Sequence, residues 1–114
     1  MEGCIFCRII NKDIAARIVY ENDEILAFED INPKAPVHIL IIPKEHIASL
    51  EDLPKNREPL LGRILGKARA IAAERGIAKS GYRIVLNTGP DSGQDVFHIH
   101  FHLLGGRGMA WPPG

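Results

Sequence analysis

An excess of charge of either sign is missing from this sequence: Lys plus Arg and Asp plus Glu each number 14, so the formal net charge is zero. Without a basic surplus, no overall field draws the chain to nucleic acid or to a membrane, and any anionic ligand has to be held by local groups. Cysteine is scarce as well. The only two, Cys4 and Cys7, are too close for an unstrained structural staple and too few for a secreted disulfide scaffold. That leaves thiols or metal ligands in a reducing compartment. No apolar run nears membrane-spanning length, and Met-Glu-Gly-Cys-Ile-Phe-Cys at the N-terminus lacks the basic region and apolar run of a signal peptide, so a cytoplasmic protein is expected. Internal repeats, linkers and low-complexity stretches are absent too, and at 114 residues one domain over 1–114 is expected.

What is present has an ordinary globular balance, with 46% hydrophobic and 25% charged residues. Ile5, Phe6, Ile9 and Ile10 recur at helical spacing and predict a short amphipathic helix over Cys4–Asn11. Arg17–Glu21 and Ile25–Glu29 are β-prone runs around the turn signal Asn22-Asp23, which predicts a hairpin. The two prolines within Asp30–Pro36 make that segment irregular. Val37–Ile42 is the most β-like run in the chain, ended by Pro43, and reads as a central strand with His38 near its start. Ser49–Pro54 is a connector with room for one helical turn. Over Arg57–Glu74, Leu60, Leu61, Ile64, Leu65, Ala68, Ile71 and Ala72 form one apolar stripe, and Gly76 closes the helix. Tyr82–Asn87 is another strand, and Thr88–Gly93 a glycine-containing loop. About five strands clustered together, one long helix and a short N-terminal one predict an α+β fold with a mostly antiparallel sheet.

The stretch that carries chemistry is Gly-Gln-Asp-Val-Phe-His-Ile-His-Phe-His-Leu-Leu-Gly-Gly, Gly93–Gly106. On a strand, a period of two puts His98, His100 and His102 on one face and Ile99, Phe101 and Leu103 on the other. A neutral imidazole is a competent nucleophile toward phosphorus when its other nitrogen is held by a hydrogen bond. His100, flanked on both sides, is the candidate. His102 is placed to donate to a phosphate oxygen, with Gly89 and Gly93 amides as a small anion nest and Asn87 and Gln94 as neutral polar partners. Spacing alone equally allows three imidazoles to hold zinc with an open fourth position. Cys4-x-x-Cys7 is open in the same way. It reads either as two partly buried helical thiols or as half of a metal site, which needs two further ligands, and His46 and His98 are free. In the C-terminal run 105–114, Trp111 lies between a flexible segment and two prolines, which predicts docking on its own domain or on a partner.

His98-Ile-His-Phe-His-Leu-Leu104, with Gly93-Gln94 before it and Gly105-Gly106-Arg107 and Trp111-Pro-Pro-Gly114 after it, resembles the signature of the histidine triad (HIT) family. The match is closest to its Hint branch of purine nucleoside phosphoramidases. Ile5-Phe6, Ala27-Phe28-Glu29-Asp30-Ile31, Ala35-Pro36, Ile42-Pro43-Lys44 with His46, and Gly81-Tyr82-Arg83 extend the likeness over nearly the whole chain.

The resemblance implies hydrolysis of a purine nucleoside 5′-phosphoramidate or aminoacyl-adenylate-like substrate. His100 would attack the α-phosphorus and form a nucleotidyl-histidine, with the His98 carbonyl holding its back nitrogen and His38 supporting it from the neighbouring strand. His102, Asn87, Gly93, Gln94 and the amides to Val96 would bind phosphate oxygens. Asp30 would take the ribose hydroxyls, and Ile5, Phe6, Ile9, Phe28 and Ile31 would enclose the purine. The residues alone read Asp30 as a turn aspartate and the apolar positions as ordinary core.

Cys4, Cys7, His46 and His98 match positions that hold structural zinc in some bacterial relatives, and no organic cofactor is implied. Relatives in the Hint branch are homodimers, so Trp111 in the tail 105–114 would dock near an active site and select the leaving group. One departure stands out: Asp95 occupies a position where many Hint relatives carry serine. The resemblance leaves two other readings: a dinucleoside polyphosphate hydrolase or nucleotidyl transferase of the same superfamily, and a nucleotide-binding scaffold. His102, where transferases carry glutamine, favours hydrolysis.

Overall fold

The computed structural model describes residues 3–114. Its elements run α1 (Ile5–Ile10), β1 (Ile18–Glu21), β2 (Ile25–Glu29), β3 (Val37–Pro43), α2 (Glu58–Glu74), β4 (Tyr82–Leu86) and β5 (Phe101–Gly105), with single 3-10 turns at Leu50–Asp52, Lys55–Arg57 and Pro90–Ser92. The five strands form one sheet in the order β1-β2-β3-β5-β4, and every neighbouring pair is antiparallel. The α+β architecture expected from the clustering of strands is the one observed.

Strand alternation decides what lies on each face. Ile25 and Ala27 of β2, Ile39 and Ile41 of β3, and Phe101 and Leu103 of β5 point to one side. There they pack with Leu60, Ile64, Ala68, Ile71 and Ala72 of α2. Full burial of each large aliphatic side chain contributes about 1.5–3 kcal/mol, so this layer is the main stabilising one. Helix α2 starts with Pro59 in its first turn and stops at Gly76, which takes a φ of +74° that side chains with a Cβ resist. Leu65, expected on the stripe, lies at its margin and is exposed. The intervening residues Leu26, Phe28, Leu40 and Ile42 face the other side, where Phe6, Cys7 and Ile9 of α1 cover them. Because α1 has only six residues, it covers part of that face, and the uncovered part becomes the site.

The histidine segment departs from expectation in one respect. Strand β5 begins at Phe101, so His98, Ile99 and His100 lie ahead of the ladder. The last β3–β5 register pair is Ile41 with Phe101. Beyond it β3 reaches Pro43, which has no N–H to offer a partner strand. The backbone N–H of Ile99 donates instead to the Ile47 carbonyl at 2.7 Å. Alternation nevertheless survives, with Ile99 buried beside α2 in the company of Phe101 and Leu103. Among the described residues, no helix is long and apolar enough to cross a membrane.

Candidate functional site

On the face that α1 leaves open lies a cleft of about 790 Å³, within the usual range for small-molecule sites. Ile5, Phe6 and Ile9 of α1, with Phe28 and Leu40 of the sheet, form its apolar walls. Ile31 stands at the rim, 92% exposed. Asp30, Asp95, Val96, His100 and His102 also border the cleft. The apolar residues expected to enclose a base are therefore brought together in one cavity with His100, His102 and Val96 of those expected to meet a phosphate.

The histidines have their tautomers set by fixed partners. His100, 3% exposed, places Nδ1 2.8 Å from the carbonyl of His98. A carbonyl only accepts, so Nδ1 carries the proton and Nε2 keeps its lone pair. Phe6 meets this ring edge-on, with centroids 5.1 Å apart. The side chain is held on two sides and its Nε2 faces the cleft without a hydrogen-bond partner among the described residues.

His38 acts differently from expectation. The backbone N–H of Lys34 donates to His38 Nδ1 at 3.0 Å, so neutral His38 carries its proton on Nε2, which lies 2.9 Å from His102 Nδ1. Register explains the pairing: His38 sits opposite Leu104, and Leu40 opposite His102, so the two histidines are diagonal neighbours on one face. His38 thus supports His102 directly and not His100. With Nδ1 of His102 accepting, its Nε2–H is left as a donor, the role a phosphate oxygen requires. Asp30 lies 3.4 Å from His38 Nε2 and also accepts from the Asn32 N–H at 2.8 Å. It is both the turn aspartate and a cleft residue.

Burial, and secondarily the neighbouring His100 and His38, hold His102 down to about 4; burial lowers His38 as well. Both rings are neutral near pH 7. In the unfolded chain they would take up protons at the ordinary value near 6.5, so the folded state gains stability as pH rises from about 4 to about 6.5 and loses it on the way down. We expect the melting temperature to fall between pH 7 and pH 5, and to fall less in His102→Gln. Equal drops in the two proteins, measured by differential scanning fluorimetry, would count against this role for His102.

A second cluster stands behind the first. Cys4 and Cys7 lie one helical turn apart at the start of α1, and His46 and His98 approach from the opposite side. The four candidate ligand atoms are all within 4.8 Å of one another. His98 Nδ1 is 3.5 Å from Cys4 Sγ and 3.6 Å from Cys7 Sγ, and His46 Nδ1 is 3.3 Å from Cys7 Sγ. Sulfur and nitrogen on a common tetrahedral centre, with metal bonds of ~2.3 and ~2.0 Å, stand ~3.5 Å apart. His98 Nε2 donates to the Pro43 carbonyl at 2.7 Å, which turns the Nδ1 lone pair toward the sulfurs. Burial lowers His98 to about 4, and burial with Cys4 close by raises the Cys7 thiol. Crowded thiols that resist ionisation are what a divalent cation would relieve. These four residues can hold a metal ion, and the donor set fits zinc.

Several expected residues stand outside the cleft. Gln94 is committed to the loop, accepting from the Gly89 N–H at 3.0 Å and donating to the carbonyls of Ala48 and Val96 at 2.8 and 3.1 Å. Asn87 and Gly93 do not line the cleft. Trp111 does not dock on its own domain and is 82% exposed, although Arg83 donates to the neighbouring Ala110 carbonyl at 3.0 Å. Conversely, Ile14–Arg17, Glu29, Asn32, Pro33 and Leu40 border the cleft although the sequence predicts no site role for them. Leu40 was accessible by counting two from His38. The 14–17 segment has no periodicity that would have marked it.

The family profile described as scavenger mRNA decapping enzyme C-term binding matches residues 3–110. The 14 kDa zinc-binding protein of Zea mays is 49% identical over 112 residues, covering 96% of this chain and 87% of its own. Adenylylsulfatase HINT1 of Arabidopsis thaliana is 48% identical over 112 residues, covering 96% of this chain and 76% of its own. Among solved structures, the HIT family hydrolase of Legionella pneumophila superposes with a TM-score of 0.95 at 50% identity, covering 97% of this chain and 99% of that one.

Proposed function

Since the chain belongs to the histidine triad family, in its Hint branch, we propose that it hydrolyses the P–N bond of purine nucleoside 5′-phosphoramidates. The observation that carries this reading is the free Nε2 of His100 at the cleft, with Nδ1 anchored on the His98 carbonyl at 2.8 Å. The Nε2 lone pair attacks the α-phosphorus, the bond to the amine breaks, and the amine departs with that electron pair, taking its proton from solvent. The ring is then a nucleotidyl-imidazolium, and the His98 carbonyl accepting from Nδ1–H stabilises its positive charge. His102 donates through Nε2–H to a non-bridging oxygen, positioned by His38. Water then attacks phosphorus and gives up a proton to solvent, the P–Nε2 bond breaks, and its electron pair returns to His100. Positioning and electrostatics supply most of the acceleration.

The purine lies against Phe6, Phe28 and Ile9, with the ribose toward Asp30. Gln94 braces the loop that carries Asp95 and Val96 through its bonds to Gly89, Ala48 and Val96. Cys4, Cys7, His46 and His98 would hold a structural zinc, which would tie α1 to the histidine segment and supply no chemistry at phosphorus. The functional unit is a two-fold dimer. Exposed Trp111 and the open edge strand β4 are surfaces that a second copy would cover, bringing the tail 105–114 toward the partner's site.

Rapid-quench mass spectrometry with adenosine 5′-phosphoramidate tests the mechanism. One AMP is expected covalently on His100 during turnover. Steady turnover with AMP on no residue, or on a different one, would refute the covalent route.

A further inference from the structure

Three features meet at Asp95. First, its Oδ1 lies 3.8 Å from Nε2 of His100, and its side chain is 83% exposed. Asp30, by contrast, is tied to a backbone N–H and faces His38. Second, the cleft is short of positive charge. Arg17 is the one basic side chain of its lining, against the carboxylates of Glu29, Asp30 and Asp95. Third, an adjoining hollow of about 360 Å³ shares Ile5, Asp95 and Val96 with the cleft, and Phe97 adds an exposed aromatic wall. Asp95 therefore stands on the ridge between the cavity that would take the nucleotide and a space able to receive what leaves it.

We propose that Asp95 sets the charge of the leaving group: it favours a departing amine and disfavours groups that leave as anions, such as sulfate or phosphate. This rests on the phosphoramidase reading above. As the bond to the leaving group breaks, an oxygen leaving group gathers negative charge a few ångströms from the carboxylate. A leaving nitrogen is protonated as its bond to phosphorus breaks, so it carries positive charge in the transition state and departs as the neutral amine. At the partial charges of a transition state, a carboxylate about 5 Å away in a largely aqueous setting changes each rate roughly 2- to 3-fold, in opposite directions for the two classes, so their ratio changes roughly 5- to 10-fold. The serine common at this position among Hint relatives would exert no such bias.

The test measures kcat/KM on the full-length protein for two substrates with the same nucleoside, an adenosine phosphoramidate of an uncharged alkylamine and adenosine 5′-phosphosulfate. In Asp95→Asn, which keeps shape and removes charge, the preference for amine over sulfate should fall about 5- to 10-fold. Asp95→Ser should follow it, and raising the salt to 0.5 M should move the wild-type ratio toward that of the variants. A ratio within twofold of wild type in Asp95→Asn overturns the proposal, as does a change confined to Asp95→Ser, which would assign the effect to size. If wild type turns over both substrates and the ratio ignores Asp95, only this inference fails. If wild type turns over neither, the phosphoramidase reading fails with it.

Discussion

His100→Ala should lower turnover of an adenosine phosphoramidate by about 10⁴-fold or more, because no other group in the cleft presents a free lone pair where His100 Nε2 stands. Removing a nucleophile eliminates the covalent route instead of weakening it, so the loss should appear in kcat. AMP binding should change little, since the apolar walls and Asp30 remain. The substitution also strips the His98 carbonyl of its donor and leaves a gap against Phe6, so some stability will be lost for reasons unrelated to catalysis. His100→Asn separates the two effects. Its amide N–H can still reach the His98 carbonyl, but it offers no nucleophile. We expect it to melt near wild type and to be as inactive as the alanine variant. Substantial turnover by either folded variant would rule out His100 as the attacking group.

The second large effect is expected from the metal cluster. Protein purified under reducing, chelator-free conditions should contain close to one zinc per chain, and Cys4→Ser/Cys7→Ser about a tenth of that or less. A ligand present at a thousand times its dissociation constant stabilises a fold by about 4 kcal/mol, which for a domain of this size is roughly 15 °C in melting temperature. The variant should melt lower by about that amount. Below its new transition it should retain phosphoramidate turnover within a few-fold, because the ligand nitrogen of His98 faces away from phosphorus chemistry. Negligible metal in the wild type, or a variant with unchanged melting temperature, would defeat the assignment.

The two sites share one residue in a way that alternation could only partly convey. His98 donates from its ring to Pro43, turns Nδ1 toward the sulfurs, and lends its main-chain carbonyl to His100. Its two functions use different atoms, one on the side chain and one on the backbone. A period-two pattern speaks to side-chain faces and is silent about which backbone carbonyl a ring will find. The same blindness explains His38. Its placement near the start of a central strand was legible from Val37–Ile42, yet its partner depends on the β3–β5 register, which couples positions 64 apart in sequence. The 14–17 segment carries no signal in the sequence because its place at the cleft comes from where α1 ends and β1 begins, not from its own composition.

The sequence by itself determined the α+β class, the span of α2, the central place of β3, and the division of the histidine segment into a polar and a core side. These follow from backbone periodicity and from the distribution of glycine and proline, which act over a few residues. Tertiary structure alone decided that β5 starts late, at Phe101, because Pro43 ends the ladder. It also decided that His38 serves His102, that Cys4, Cys7, His46 and His98 converge, and that Asp95 stands beside His100 Nε2. Apart from the contact of Asp95 with nearby His100, these are set by contacts between residues distant in the chain, and it is such contacts that fix where a proton sits and where a lone pair points.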